Sequence, residues 1–186
     1  VNRLDTITST EDKERLHVEG PRPPKLKLNL GCGNDWMFMG TINVDCRNLI
    51  PPEGTVFVRN DITDLSNLFQ DGCADELWTK DVIEHFPQGG TGKILDEWVR
   101  LLTPGGTLHL KCPDLYALAN FILSSKDKDD DTKAHRVYGG QDYPENFHRA
   151  GFSIPLLTKL LQDRGMTVVK SWNQEETNLC IEAVKK

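Results

Sequence analysis

Short apolar runs in this chain end repeatedly in residues with chemistry to offer: Gly31-Cys32-Gly33-Asn34, Asp45, Asp61, Lys80-Asp81 and Pro113-Asp114. If those runs are strands of an open α/β sheet, the residues stand together, because ligands of such sheets bind beyond the carboxyl ends of the strands. Gly31 and Gly33 let the backbone turn tightly and approach a ligand, and N–H groups there can hold an anionic end such as a carboxylate or phosphate. A carboxylate at Asp45 can accept hydrogen bonds from both hydroxyls of a ribose. Asp61 can accept from an exocyclic amine while the N–H of Ile62 meets a ring nitrogen. Each has a plainer reading, a tight turn for the glycines and a turn or cap for the aspartates. Their joint arrangement is what points to a nucleoside with a charged tail.

Proton acceptors are also present. His85 follows Asp81 by one helical turn, so both can face one pocket. The alternative is that Glu84-His85 caps the short segment ended by Pro87. His148-Arg149 falls in a loop between two helices, where substrate contacts often lie, or where a histidine is simply paired within a surface loop. Asp142 and Tyr143 are weaker candidates, and His17, His109 and His135 read as structural. Asp64, placed before Leu65 to Phe69, reads as a helix cap.

A nicotinamide dinucleotide is disfavoured. Its fingerprint, G-x-G-x-x-G, needs a third glycine where this chain has Trp36, and an acid about 20 residues on. Asp45 comes 45 − 31 = 14 residues after Gly31. A single nucleoside with a small zwitterionic tail meets neither objection.

The elements that would position these residues alternate between strand and helix. Strands are expected over 25–30, 41–45, 56–59, 76–79 and 107–111, the last entered through Pro104-Gly105-Gly106. Between the fourth and fifth, Ile94, Leu95, Trp98, Leu101 and Leu102 share one helical face. Leu115 to Leu123 reads as a helix. Another starts at a Ser153 cap with Pro155 in its first turn, and stops at Gly165. Strands 166–172 and 178–184 follow. Only residues 173–177 separate them, too few for a parallel crossover, so they should pair antiparallel. Residues 1–24 read as a peripheral arm with one short polar helix over 8–18, and residues 25–186 as one domain. Lys126 to Lys133, rich in aspartate, reads as a solvated loop rather than a metal site.

Composition narrows the partners. The chain has 186 residues, 38% hydrophobic and 27% charged, which suits a single globular domain. The net charge of −6 disfavours nucleic acid and anionic membranes as partners. No apolar run approaches the roughly 20 residues of a membrane span. The N-terminal stretch has no apolar run suited to a signal peptide. The five cysteines are odd in number and lack C-x-x-C spacing. They argue against a disulfide framework or a structural zinc site, and for a reducing, cytoplasmic setting. No metal is expected, and the oligomeric state is open.

Several segments together resemble class I S-adenosylmethionine-dependent methyltransferases. Leu28-Asn29-Leu30-Gly31-Cys32-Gly33 is similar to their first motif, Asn43-Val44-Asp45 to the acidic second, and Asn60-Asp61-Ile62 to the third, which contacts adenine. Residues 75–85 resemble the fourth-strand segment, and residues 102–108 the turn into the fifth strand. The resemblance spans residues 26–184. It implies a Rossmann-like, doubly wound, mostly parallel seven-stranded sheet with an antiparallel C-terminal strand. It implies S-adenosyl-L-methionine as cofactor, with Gly31, Cys32 and Gly33 at the methionine end, Asp45 on the ribose, and Asp61 and Ile62 on adenine. Cys46 is placed near the adenine face, and Lys80 and Asp81 beside the methionine portion. Asp81, His85 and His148 are the catalytic candidates. Within the superfamily, the segment from Tyr138 to Phe152 resembles small bacterial enzymes that often lie in surface-polysaccharide gene clusters. That suggests a small-molecule or glycan acceptor methylated on a hydroxyl. The absence of Asn-Pro-Pro-Tyr after the fourth strand disfavours amino methylation of adenine or glutamine. A rival reading keeps the cofactor pocket without catalysis, as a sensor or as a subunit of a larger enzyme.

Overall fold

The computed structural model describes residues 25–124 and 129–186. The expected arm with its helix over 8–18, and residues 125–128, which include the start of the acidic run, lie outside the described residues.

Seven strands form one sheet: β1 (Lys27–Leu30), β2 (Thr41–Asp45), β3 (Val56–Arg59), β4 (Ala74–Lys80), β5 (Leu102–Pro113), β6 (Met166–Gln174) and β7 (Asn178–Lys185). Their spatial order is β3-β2-β1-β4-β5-β7-β6. The first five run parallel. β7 lies antiparallel between β5 and β6, as the short 175–177 connection requires. β5 starts earlier than expected, at Leu102, because Pro104-Gly105-Gly106 is absorbed as an irregularity where the β4 register slips between Ala74 and Glu76.

Alternation gives the sheet two unlike faces. Leu28, Leu30, Val44, Val58, Leu77, Leu108, Leu110, Ile181 and Ala183 belong to one buried cluster. The same cluster takes in Leu95 and Trp98 of α1 (Thr91–Leu101), and Leu157 and Leu161 of α4 (Ile154–Gln162). Trp98 is completely buried and its indole N–H donates to the carbonyl of Ile62. The opposite face carries Lys27, Glu76, Trp78, Lys80, His109 and Lys111. There Lys27 pairs with Glu76 at 3.0 Å, and the Trp78 and His109 rings stack 3.8 Å apart. Two further helices, α2 (Leu115–Ser124) and α3 (Asp130–Tyr138), follow β5.

Local chemistry explains most boundaries. Ser153 caps α4, its hydroxyl accepting from the Leu156 N–H, and Gly165 leaves the helix at φ +76°. Asp114 caps α2 by accepting from the Tyr116 N–H at 2.8 Å. The amine of Lys185 donates to the carbonyls of Val99 and Leu102, closing the C-terminal end of α1. Two expectations change. Asp129 caps α3, its carboxylate accepting from the Thr132 N–H, so residues 130–133 begin a helix instead of a loop. Asp64 caps no helix. Its carboxylate holds the Ser66 N–H and hydroxyl, and residues 65–69 make only turns, because the segment is too short for another hydrogen-bonded repeat.

No helix separates β1 from β2. The ten-residue connection is instead tied down by buried amides: Asn29 donates to the side chain of Asn43, which also exchanges hydrogen bonds with the backbone of Met37. Among the described residues, no helix is long and apolar enough to cross a membrane.

Candidate functional site

The carboxyl ends of β1 to β4 open onto a crevice of about 430 Å³. Gly31, Asp45, Cys46, Asp61, Ile62, Asp81 and His85 all line it. Opposite them stands a loop carrying Tyr143, Pro144, Glu145 and Arg149. The strand ends therefore bring together most of the residues singled out above.

Gly31 leaves β1 at φ +66°, a conformation costly for residues with a Cβ. An added Cβ would lie 2.6 Å from Cγ2 of Val82. Only glycine lets the first strand turn beneath the segment after β4. The N–H groups at this turn are not exposed donors, as the spacing had suggested. Those of Gly31 and Cys32 donate to the Val44 carbonyl, at 2.8 and 3.1 Å, and that of Gly33 donates to Asp45 at 2.8 Å. Without a helix after the turn, β2 is close enough to take these bonds. The Cys32 side chain is buried, which pushes its thiol up to about 12.

Asp45 is almost wholly buried, with its carboxylate saturated. Besides Gly33, it accepts from the Arg47 backbone N–H at 2.9 Å and from its guanidinium Nε at 3.1 Å. The guanidinium also lies 4.7 Å from the ring centre of Tyr143, joining the strand end to the facing loop. Burial works against the Arg47 charge, but its hydrogen bond to Asp45 and the charge of that carboxylate, with Tyr143 and Cys46, together outweigh this and raise its pKa. Arg47 was not singled out in the sequence. The one signal was its place two residues after a strand-end acid.

Asp61 closes a turn, one carboxylate oxygen accepting from both the N–H and the hydroxyl of Thr63. Asp81 has φ +53°, an uncommon value for aspartate, which redirects the chain at the end of β4. Its carboxylate pairs with Lys111 at 3.1 Å, and Lys111 pairs in turn with Glu175 at 3.0 Å. Lys80, expected beside the methionine portion, does not line the crevice. Alternation puts it on the Trp78 face, where it forms an ion pair with Asp35 at 2.7 Å.

Asp81 and His85 also border a second hollow, of about 320 Å³, which holds His148. Three local features build that wall. Ile83–His85 form a single 3₁₀ turn. The carbonyl of Glu84 accepts from the N–H groups of Arg149 and Ala150, at 2.7 and 3.1 Å, pinning the 146–150 segment against it. Gly139 lets that segment cross closely, since a Cβ there would lie 2.6 Å from the Asn146 carbonyl oxygen. His85 and His148 then stand with ring centres 5.1 Å apart.

Both imidazoles face backbone carbonyls through Nδ1. Nδ1 of His85 lies 3.2 Å from the Phe147 carbonyl, and Nδ1 of His148 lies 3.2 Å from the Val137 carbonyl. A carbonyl only accepts, so Nδ1 of each neutral ring carries the proton; Nε2 of His148 then keeps its lone pair, while the His85 ring also meets the backbone of Asp81. Burial lowers both pKa values, and for His148 the neighbouring His85 lowers it further. Two neutral imidazoles therefore border the second hollow, and His85 borders the crevice as well. Glu84, for which the sequence offered only the alternative of a cap, is buried beside them. Nothing in its sequence position signalled this.

Residues 42–110 match a family model described as a methyltransferase domain. No curated protein matches the chain. Among solved structures, it resembles an S-adenosylmethionine-dependent methyltransferase from Methanosarcina mazei, at 17% identity and TM-score 0.61, covering 86% of this chain and 92% of that one. It also resembles an S-adenosylmethionine-dependent methyltransferase from Archaeoglobus fulgidus, at 14% identity and TM-score 0.60, covering 95% of each. A third is the Burkholderia thailandensis 1,6-didemethyltoxoflavin-N1-methyltransferase, crystallised with its substrate and S-adenosylhomocysteine. It has 17% identity and TM-score 0.57, covering 87% of this chain and 71% of that one.

Proposed function

We propose that this chain is an S-adenosylmethionine-dependent methyltransferase, a reading supported by its fold and by the domain match at residues 42–110, and that it methylates a hydroxyl of a small-molecule or carbohydrate acceptor. One observation carries the reading. The crevice at the strand ends meets a second hollow through Asp81 and His85, so a donor place adjoins an acceptor place.

When bound, S-adenosyl-L-methionine supplies a methyl group activated by a sulfonium charge. The rest falls to the chain's own residues. Asp45 holds the sugar diol, Asp61 and the N–H of Ile62 hold the base, and Cys46 lies against its face. The Gly31-Cys32-Gly33 turn supports the amino-acid end by close backbone approach, its N–H groups being already engaged. Because Arg47 saturates Asp45, diol binding exchanges the guanidinium for hydroxyls while Arg47 stays over Tyr143. The donor residues thus fit a single nucleoside.

The acceptor enters the second hollow. Holding its oxygen in line with the methyl group supplies most of the rate. Its proton passes to an imidazole lone pair, that of His85 foremost because His85 borders both hollows, with Asp81 and His148 beside it. A methyl-transfer screen against nucleotide sugars, glycan termini and small phenols, read as S-adenosylhomocysteine release, tests this. Turnover that His85→Ala abolishes without loss of S-adenosylhomocysteine binding supports it. Binding with no turnover on any acceptor class points to the non-catalytic alternative.

A further inference from the structure

Both carboxylate oxygens of Glu84 are buried without a hydrogen-bond partner, and the residue is only 1% exposed. Burial pushes this carboxyl up to about 8, because a desolvated carboxylate is costly, and such groups are rare in folded proteins. Glu84 lies against the two histidines. One of its oxygens is 4.0 Å from Nε2 of His85, and one ligand atom from each of Glu84, His85 and His148 falls within 4.8 Å of the others.

We propose that Glu84, His85 and His148 form a binding site for a divalent transition-metal cation. Three features of the cluster fit a cation better than a proton relay. Nδ1 of each imidazole faces a backbone carbonyl, which leaves Nε2 as the nitrogen for a cation, in His85 in place of its contact with the Asp81 backbone. That is the arrangement in which metal-binding histidines are held, the carbonyl fixing both tautomer and ring direction. Glu84 and His85 are too far apart for a hydrogen bond but close for ligands of a common ion. With metal–ligand distances of about 2.1 Å, tetrahedral neighbours lie about 3.4 Å apart, so ligand atoms that lie within 4.8 Å of one another need close by up to about 1.4 Å. Two imidazoles and one carboxylate select zinc-class or iron(II)-class ions over magnesium or calcium, which take oxygen ligands. Three protein ligands also leave coordination positions open, and these would face the second hollow. In the loaded protein the two lone pairs assigned above as proton acceptors become ligands, and a hydroxyl on the open position is acidified by the cation itself.

The probes are Zn²⁺ and Co²⁺ added to protein stripped by chelator, with binding measured apart from methyl transfer. One ion per chain is expected, with Co²⁺ giving visible absorption of nitrogen and oxygen coordination and no thiolate charge-transfer band. Glu84→Gln and His148→Ala should each weaken Zn²⁺ binding by about 10- to 100-fold or more. His109→Gln, outside the cluster, should leave it intact. A second reading guards against misfolded variants: in the unsubstituted protein, Zn²⁺ should shift the imidazole resonances of His85 and His148 and not those of His109. Absence of stoichiometric binding, binding indifferent to both substitutions, or resonance shifts elsewhere would overturn the proposal. Those results would leave the methyl-donor assignment standing, since S-adenosylhomocysteine binding is measured separately.

Discussion

Substitution of Gly31 by alanine should be severe, and a second substitution should relieve part of it. Alanine at φ +66° costs about 1–2 kcal/mol in backbone strain. Its Cβ would meet Cγ2 of Val82 at 2.6 Å and Cγ1 at 2.9 Å. Because Val82 is itself buried, with little room to move, overpacking adds about 1–3 kcal/mol. Gly31→Ala alone should therefore destabilise by about 2–5 kcal/mol. Val82→Ala alone removes two buried methyl groups, at about 0.8 kcal/mol each. In the double variant the collision is gone, leaving the backbone strain and the lost methyl groups. The two costs should then fall short of additivity by about 1–3 kcal/mol. Urea denaturation of the four proteins of this cycle measures the coupling directly. Additive costs, or a Gly31→Ala protein as stable as the parent, would refute the claim that this turn is shaped by its contact with the β4 exit.

Other perturbations probe the site. His85→Ala should lower kcat by about 10²–10⁴-fold with the S-adenosylhomocysteine Kd unchanged, as calorimetry and steady-state kinetics would show. Arg47→Ala should not weaken S-adenosylhomocysteine binding. Freeing Asp45 from a partly exposed ion pair worth about 0.2–1 kcal/mol should tighten it by up to about fivefold, and a tenfold loss would contradict the proposed exchange. Cys46 is exposed and lines the crevice, whereas Cys32 and Cys112 are buried. Iodoacetamide labelling followed by mass spectrometry should therefore find Cys46 before those two, with S-adenosylhomocysteine protecting it. Partial desolvation against the crevice wall, then the Asp45 and Glu145 carboxylates, raise the Cys46 pKa, so labelling should keep accelerating above the ordinary thiol value as the thiolate fraction grows. Lys80→Ala should leave donor binding unchanged, because Lys80 spends its charge on Asp35 outside the crevice.

Strand-end residues were legible because position and chemistry coincide. Asp45, Asp61 and Asp81 each follow an apolar run, and parallel strands must deliver their carboxyl ends to one edge of the sheet. The antiparallel β6–β7 hairpin was equally readable from its short connection. Lys80 was misplaced by one step of alternation, which sends neighbours to opposite faces. The glycine-turn donors were misread because nothing local revealed that β2 would come close enough to take them. Glu84 and Arg47 escaped notice for a related reason. Burial of a carboxylate against residues 60 positions away, or saturation of an acid by its own neighbour, is a property of the folded contacts. Gly139 allows the crossing that seats His148, which only the folded contacts reveal.

The most direct test is a crystal structure of the protein grown with S-adenosylhomocysteine. The account predicts the adenosine in the crevice at the ends of β1 to β4. Its ribose hydroxyls should lie on Asp45 with the Arg47 guanidinium displaced, adenine between Cys46 and Asp61-Ile62, and the sulfur directed toward His85 and the second hollow. Product bound elsewhere, or a ribose that leaves Asp45 with Arg47, would contradict it.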